Sequence, residues 1–574
     1  MKISAVTCFC GVVLLAVAGC DRSVGPVPAA AQGETAAVAG AAAEAAAAQI
    51  TAEQLRAQIA KLSDDEFQGR GTSTPGDDKA RKYLAQQLQS MGYEPGGPDA
   101  SWEQPMDLIG VTAAMPSRWE FRRGSKQLSL KAKDQFIAAS GVQNEHAALD
   151  HAEVVFVGYG IQAPEYQWDD FKQQNLRGKV LLMLNNDPDW DPALFAGTTR
   201  LYYGRWTYKY ESAARQGAAG AIIIHTTPSA GYPFQVVQTS WSGEQFELPA
   251  TAGEQRIQVR SWVTESAARD LVALAGKNLD QLIEAAKQRD FHPVPLGVTT
   301  SLQLTNRVNR TRSANVLGLL RGADPMLRNE VVIYSAHHDH LGIGEPDAKG
   351  DRIYNGALDN GAGMAQVLAI AKAFKALPEP PKRSVLMLFV TAEEQGLLGS
   401  AYYAAHPTFP AGKIAADINY DGGNIWGRTR DVTFIGKGKS TIDNVVDAVA
   451  KQQGRVVKPD QMPDRGHYYR SDQFSFAEIG VPALYLDTGT DFIGRPPGWG
   501  KEQIEDYEAH RYHQPSDQID DSWNYDGMIE DAQLGFWTGL LLANAAQMPS
   551  WKPGDEFEAA RKKAITDSQE VGSR

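Results

Sequence analysis

Two adjacent acids, Glu393 and Glu394, follow an unbroken apolar run, Val385 to Val390, with only Thr391 and Ala392 between. Carboxylates this close to a buried strand repel each other and resist desolvation unless a cation, a proton or a hydrogen-bond network compensates them. The same placement recurs along the chain. His337, His338 and Asp339 follow VVIYSA, Asp421 follows IAADINY, Asp359 lies in YNGALDNGAG just ahead of a helix, and His513 lies in RYHQPSDQID. Each of these alone reads as a capping or surface residue, because structural networks also gather polar groups. Their repetition at successive strand ends points to one shared polar site.

The elements that must position them are regular. From about residue 296 the runs VVIYSA, VLMLFV and IAADINY alternate with the helical segments GMAQVLAIAKAF and LLGSAYYAAH. Strand and helix in alternation predict an α/β fold with a mostly parallel, mixed sheet flanked by helices on both faces. Such sheets bind ligands beyond the carboxyl ends of their strands, where these acids and histidines stand. Upstream, Leu55, Ile59 and Leu62 mark a helical face capped by Thr51, and DDKARKYLAQQLQSMGYEP gives a second helix ended by Gly92 and Pro95. Between roughly 110 and 295 the pattern changes to short strand-like runs such as HAEVVFVGYGI and GKVLLMLNND.

A chain of 574 residues, 43% hydrophobic with 12 Trp and 20 Tyr, predicts at least two globular domains. A formal net charge of −13 without a basic run argues against nucleic acid or anionic lipid as a partner of the folded part. The N-terminus, MKISAVTCFCGVVLLAVAGC, has Lys2, an apolar stretch and small residues before Cys20, the pattern of a secretory signal. Its quartet Val17-Ala18-Gly19-Cys20 resembles a bacterial lipobox, which implies cleavage before Cys20, lipidation of that residue, and a lipoprotein of the cell envelope facing periplasm or exterior. Ordinary signal cleavage is the alternative. Cys8 and Cys10 lie in the removed segment, so the mature chain has no disulfide. Residues 21–49, rich in Ala, Gly and Pro, read as a low-complexity tether. The expected organisation is a signal peptide over 1–20, the tether over 21–49, part of the catalytic unit over 50–110, an insertion over 111–295, the rest of the catalytic unit over 296–550 and a polar tail over 551–574.

The motifs SAHHDHLG, LDNGAG, TAEEQGLLGS, INYDGG, YYRSDQFSFAEIGVPAL and YHQPSD, in this order, resemble the co-catalytic di-zinc aminopeptidase family. That family includes secreted bacterial leucyl-type aminopeptidases and has glutamate carboxypeptidase II and the transferrin receptor among its relatives. The resemblance covers about 296–545, and the inserted region, with VFVGYGI and RQGAAGAIIIH, looks like a β-rich protease-associated domain. It implies that Asp359 bridges two metal ions, that His337 and Asp421 complete one site, and that Glu394 and His513 complete the other. Imidazole and carboxylate without thiolate suit two Zn²⁺, with Co²⁺ or Mn²⁺ as substitutes. Glu393 is then the free acid, the general base toward a metal-bridged water and the general acid toward the leaving amine. Asp339, two residues after His337, is expected to orient that imidazole, and His338 between them to point away into a structural role. Tyr512 matches an oxyanion-binding phenol and otherwise reads as a wall aromatic; Ser471 and Asp472 match a polar pair in the substrate pocket. The resemblance also implies a cis peptide between Asp359 and Asn360.

The implied function is hydrolysis of N-terminal residues from peptides. A carboxypeptidase, a glutaminyl-cyclase-like enzyme and a non-catalytic binding protein of transferrin-receptor type are the alternatives. The complete ligand set and the base position favour catalysis, and the pairing of Glu393 and Glu394 with Asp421 favours hydrolysis over cyclisation.

Overall fold

A computed structural model of the protein describes residues 40–572. The signal peptide, Cys20 and most of the tether lie outside the described residues.

The main sheet is built around a parallel core. Ser384–Val390 runs parallel to Val331–His337, whose other edge pairs in parallel with Ile414–Asn419, itself parallel to Ala483–Asp487. Antiparallel neighbours flank this core: the end of Val294–Leu320 beside Ser384–Val390, and Asp431–Ile435 beside Ala483–Asp487. The apolar run that precedes Glu393 is buried on both faces, as its composition demands. Val385, Met387 and Phe389 enter the core beneath the helices Ala52–Leu62, Gly363–Ala376 and Asp526–Asn544, while Leu386, Leu388 and Val390 enter a second core with Tyr403 and Phe476. The N-terminal helix begins at the expected cap, where the Thr51 side chain accepts from Gln54 N, and buries Leu55, Ile59 and Leu62.

The insertion has its own cores. His146–Phe156, Val180–Leu184, Gly220–His225 and Val259–Thr264 pair in parallel, with helices such as Trp206–Arg215 and Glu265–Leu274 packed against them. Its junctions are not loops. Glu103–Ala114 pairs antiparallel with Thr305–Val316, so the expected boundaries at 110–111 and 295–296 fall inside long strands that carry the insertion on a two-stranded arm.

Both terminal segments pack against the rest of the protein. The end of the tether is helical over 40–47, with Ala43, Ala46 and Ala47 buried in the main core, and Gln533 Nε2 donates to Ala47 O at 3.2 Å. Alanine has too small a side chain to produce an obvious apolar pattern, yet it allows close helix packing. The segment read as a polar tail contains the helix Glu558–Gly572. Buried Arg561 donates to Ala411 O and Ile414 O, and Trp551 Nε1 to Gly480 O, which clamps the tail to the main sheet.

Candidate active site

The carboxyl ends of the three parallel strands bring the predicted residues together. Val331–His337 ends on His337 itself. Beyond Ser384–Val390 the chain kinks at Ala392, whose φ of +53° is unusual for a residue with a Cβ, and this turns Glu393 and Glu394 into the cleft. Asp421 stands two residues past Ile414–Asn419. Asp359 occupies the turn before Gly363–Ala376, and the peptide to Asn360 is cis, as the motif implied. The Asn360 side chain joins this turn to the Asp421 loop: its Oδ1 accepts from Gly363 N and Gly422 N, and its Nδ2 donates to Tyr420 O.

The atoms of the predicted metal-binding residues converge in two groups that share Asp359. His337 Nε2 lies 3.2 Å from Asp359 Oδ1 and 3.1 Å from Asp421 Oδ1. On the other side His513 Nε2 lies 3.2 Å from Asp359 Oδ2 and 3.0 Å from Glu394 Oε2. Four donors about 2.0–2.2 Å from a tetrahedral zinc are separated by roughly 3.4 Å, so these spacings fit ligands gathered around an ion. The electrostatics call for positive charge at the same place. Burial disfavours charge on the imidazoles, yet Asp421, Asp339 and Asp359 hold the pKa of His337 well above its ordinary value, and Glu394 and Asp359 hold that of His513 at about 10. Against the same effect of burial, the His337 and His513 imidazoles keep Asp359 well below the usual carboxylate range, and His513 and His340 keep Glu394 at about 2. Protons on imidazole supply the balance that divalent cations supply when bound.

Glu393 stands apart from these contacts. Burial, together with the charges of Asp421 and Glu394, pushes its pKa well above the ordinary value although His337 pulls it down. It lines both recesses of the cleft, as do Tyr232, Arg470 and Tyr512. One recess has apolar walls from Leu358, Trp426, Met462 and Ile504, with Asp487 in its lining. The other is lined by Arg205, Trp206 and Trp241 of the insertion. Tyr512 stacks on His513 with ring centroids 3.9 Å apart, in reach of the same cleft.

One expected role is extended and one is corrected. Asp339 adjoins the His337 imidazole as expected, with Nδ1 3.1 Å from its backbone O and 3.7 Å from its carboxylate. The carboxylate also accepts from Glu393 N at 3.0 Å and Glu394 N at 3.4 Å, so it fixes the turn that carries the acids. Asp472 is fully buried and does not line either recess, because it lies at the inward-facing start of Gln473–Glu478; Ser471 does line one and accepts from Asn419 Nδ2. His338 points away as expected, with Nε2 3.2 Å from Ala314 O, and burial lowers its pKa to about 4.

Three residues that support the cluster had been given no role. His340 Nδ1 donates to Glu394 Oε1 at 2.6 Å and leaves Oε2 to face His513. Asp517 accepts from the backbone N–H groups of Leu358 and Asp359 at 3.0 and 3.1 Å. Arg70, fully buried, donates to the carbonyls of Leu62, His338, Asn355 and Gly356 and so ties the N-terminal segment to the loops on both sides of the site. His340 had a visible signal as the third imidazole in SAHHDHLG; Asp517 had a weaker one in YHQPSD; Arg70 had none.

Two His–carboxylate groups sharing one Asp at the carboxyl ends of a parallel sheet define an α/β fold of the zinc-exopeptidase type. Residues 315–536 match the Peptidase family M28 model. Similar curated proteins include Leupeptin-inactivating enzyme 1 of Streptomyces exfoliatus, 26% identical over 47% of this chain and 57% of its own length. Aminopeptidase YwaD of Bacillus subtilis is 24% identical over 43% of this chain and 48% of its own length. The chain thus spans about half the length of the curated relatives it matches. Among solved structures, the aminopeptidase from Aneurinibacillus sp. strain AM-1 shares the fold with a TM-score of 0.53 at 19% identity, covering 89% of this chain and 96% of that one.

Proposed function

We propose that the protein is a di-zinc aminopeptidase that removes N-terminal residues from peptides. The observation that carries this reading is the sharing of Asp359, with one carboxylate oxygen 3.2 Å from each of two imidazoles that have their own second carboxylate. His337, Asp359 and Asp421 hold one ion, and Asp359, Glu394 and His513 the other; Co²⁺ or Mn²⁺ suits the same donors. When bound, the ions polarise the scissile carbonyl and make water more acidic. Glu393 takes the proton from the attacking water and delivers it to the leaving amine. The Tyr512 hydroxyl, held protonated by burial well above its ordinary pKa, donates to the oxygen on which charge develops.

The cleft supports an orientation for the substrate. The apolar recess takes the N-terminal side chain, and the nearby acids Asp421, Glu393 and Asp487 suit an ammonium group. The rest of the peptide leaves along the insertion side. Arg205 stands there, and Arg470 lies between the two recesses; these guanidinium groups are the one feature that favours carboxypeptidase action, since guanidinium suits a terminal carboxylate. One short peptide in three forms separates the readings. Aminopeptidase action predicts that N-acetylation stops cleavage and C-amidation barely changes it; the reverse pattern replaces the aminopeptidase with a carboxypeptidase.

The insertion is proposed as a protease-associated domain on the strength of its sequence motifs. The lipobox-like quartet supports membrane anchoring through Cys20, with no other membrane contact and no nucleic-acid partner. Among the described residues no helix is long and apolar enough to cross a membrane. Cys20→Ala is expected to release the protein from membranes while peptidase activity persists, because the several acyl chains of a lipoprotein anchor stably where one chain binds only marginally. Fractionation and mass spectrometry of the N-terminus check this; a wholly soluble, unacylated native protein would remove the anchor.

A further inference from the structure

Two hydrogen bonds of the inserted lobe reach the half of the cluster formed by His513 and Glu394. Its helix Phe234–Ser240 ends on Ser240, whose Oγ lies 2.7 Å from His513 Nδ1. Phe246 N donates at 2.8 Å to the side-chain oxygen of Gln395, the residue after Glu394. His337 is held differently, with Nδ1 3.1 Å from Asp339 O inside the catalytic lobe. One ligand imidazole is therefore oriented by its own domain and the other by the insertion.

We propose that Ser240 is a positioning residue for His513, so that the inserted lobe completes the half of the metal centre formed by His513 and Glu394. The proposal rests on the two-ion reading above. An imidazole that offers its Nε2 lone pair to a cation carries its proton on Nδ1, and that N–H needs an acceptor to fix both tautomer and ring plane. Among the described residues the Ser240 hydroxyl is the hydrogen-bond partner of His513 Nδ1. External support matters here because His513 itself has φ +56°, a conformation disfavoured for a residue with a Cβ, and stands in a loop. Ser240 is held firmly in turn. Its carbonyl accepts from Gln245 Nε2 at 3.2 Å, and the next residue, Trp241, packs edge-on against Trp206 and Trp262 with centroids 5.4 and 6.4 Å away. The hydroxyl is thus presented by the packed core of the insertion and not by a free loop.

The test measures zinc stoichiometry and affinity of the full chain by chelator competition, together with the visible absorption of the Co²⁺-loaded protein. Ser240→Ala is expected to weaken one of two ions about 10–100-fold, the range for loss of a partner that orients a metal-bound histidine, and to leave the other unchanged. The Co²⁺ bands of the affected site should shift. Ser240→Thr, which keeps the hydroxyl, should restore both. Ser240→Ala binding two ions with wild-type affinities and an unaltered Co²⁺ spectrum overturns the proposal while leaving the two-ion reading intact. Equal loss of both ions in the Ala and Thr variants also overturns it, as a general disturbance. An unmodified protein that binds fewer than two ions removes the two-ion reading, and this inference with it.

Discussion

Replacing Glu393 by Gln leaves zinc content near that of the unmodified protein and removes most of the turnover, by ~10²–10⁴-fold, the range typical for loss of a general base. The asymmetry follows from geometry. Glu393 takes no part in the two groups of converging ligand atoms, which are formed by His337, Asp359 and Asp421 and by Asp359, Glu394 and His513. Its backbone N–H is tied to Asp339, so the amide variant keeps its place while losing the basic oxygen. Glu394→Gln should behave in the opposite order and weaken metal binding first, since Glu394 Oε2 lies 3.0 Å from His513 Nε2. The pH dependence has a definite sign. Glu393 accepts a proton only when ionised, and burial with neighbouring negative charge raises its pKa above the ordinary carboxylate range. Activity therefore falls as pH drops through that raised value, and the residual activity of Glu393→Gln lacks this step. Metal analysis and pH–rate profiles of both variants check the assignment. Full metal and full rate in each would show that base and ligand have been misassigned.

What was legible in the sequence was whatever two local rules could report. A fully apolar run followed at once by charge identifies a buried strand and the end at which its ligands gather, and this located His337, Glu393, Glu394 and Asp421. The ordered motifs added Asp359 and His513, which lie in loops and have no such strand signal. Rules of this kind fail where a side chain serves the backbone of a distant segment. Arg70 reaches carbonyls 8 to 286 positions away, and nothing near Gly69 or Gly71 announces it. Asp339 was legible in part: its spacing placed its carboxylate 3.7 Å from the His337 imidazole, but nothing local announced its second task of receiving the backbone N–H groups of Glu393 and Glu394. How the two terminal segments pack was not legible, because composition reports polarity and complexity, while packing depends on which few residues meet a surface: three alanines at one end, Trp551, Phe557 and Arg561 at the other.

The variant with the widest effect on the cluster is Asp359→Asn, expected to bind both ions poorly and not just one. Asp359 is the proposed ligand common to the two groups, with Oδ1 toward His337 and Oδ2 toward His513. Asparagine preserves shape but removes the negative charge from both positions and turns one of the two oxygens into an N–H donor, which repels a cation. The supports of this residue remain in the variant: Asp517 still receives the backbone N–H groups of Leu358 and residue 359, and Asn360 still joins the turn to the Asp421 loop. Loss of metal would therefore reflect the carboxylate itself. Its effect should exceed the ~10–100-fold in affinity that follows loss of a mere orienting partner. Asp421→Asn provides the contrast, because Asp421 faces His337 alone and its loss should spare the ion held by Glu394 and His513. Zinc titration of the three proteins distinguishes the outcomes. If Asp359→Asn lost only one ion, as Asp421→Asn is expected to, the shared carboxylate would not be a bridge and the two halves of the cluster would bind independently.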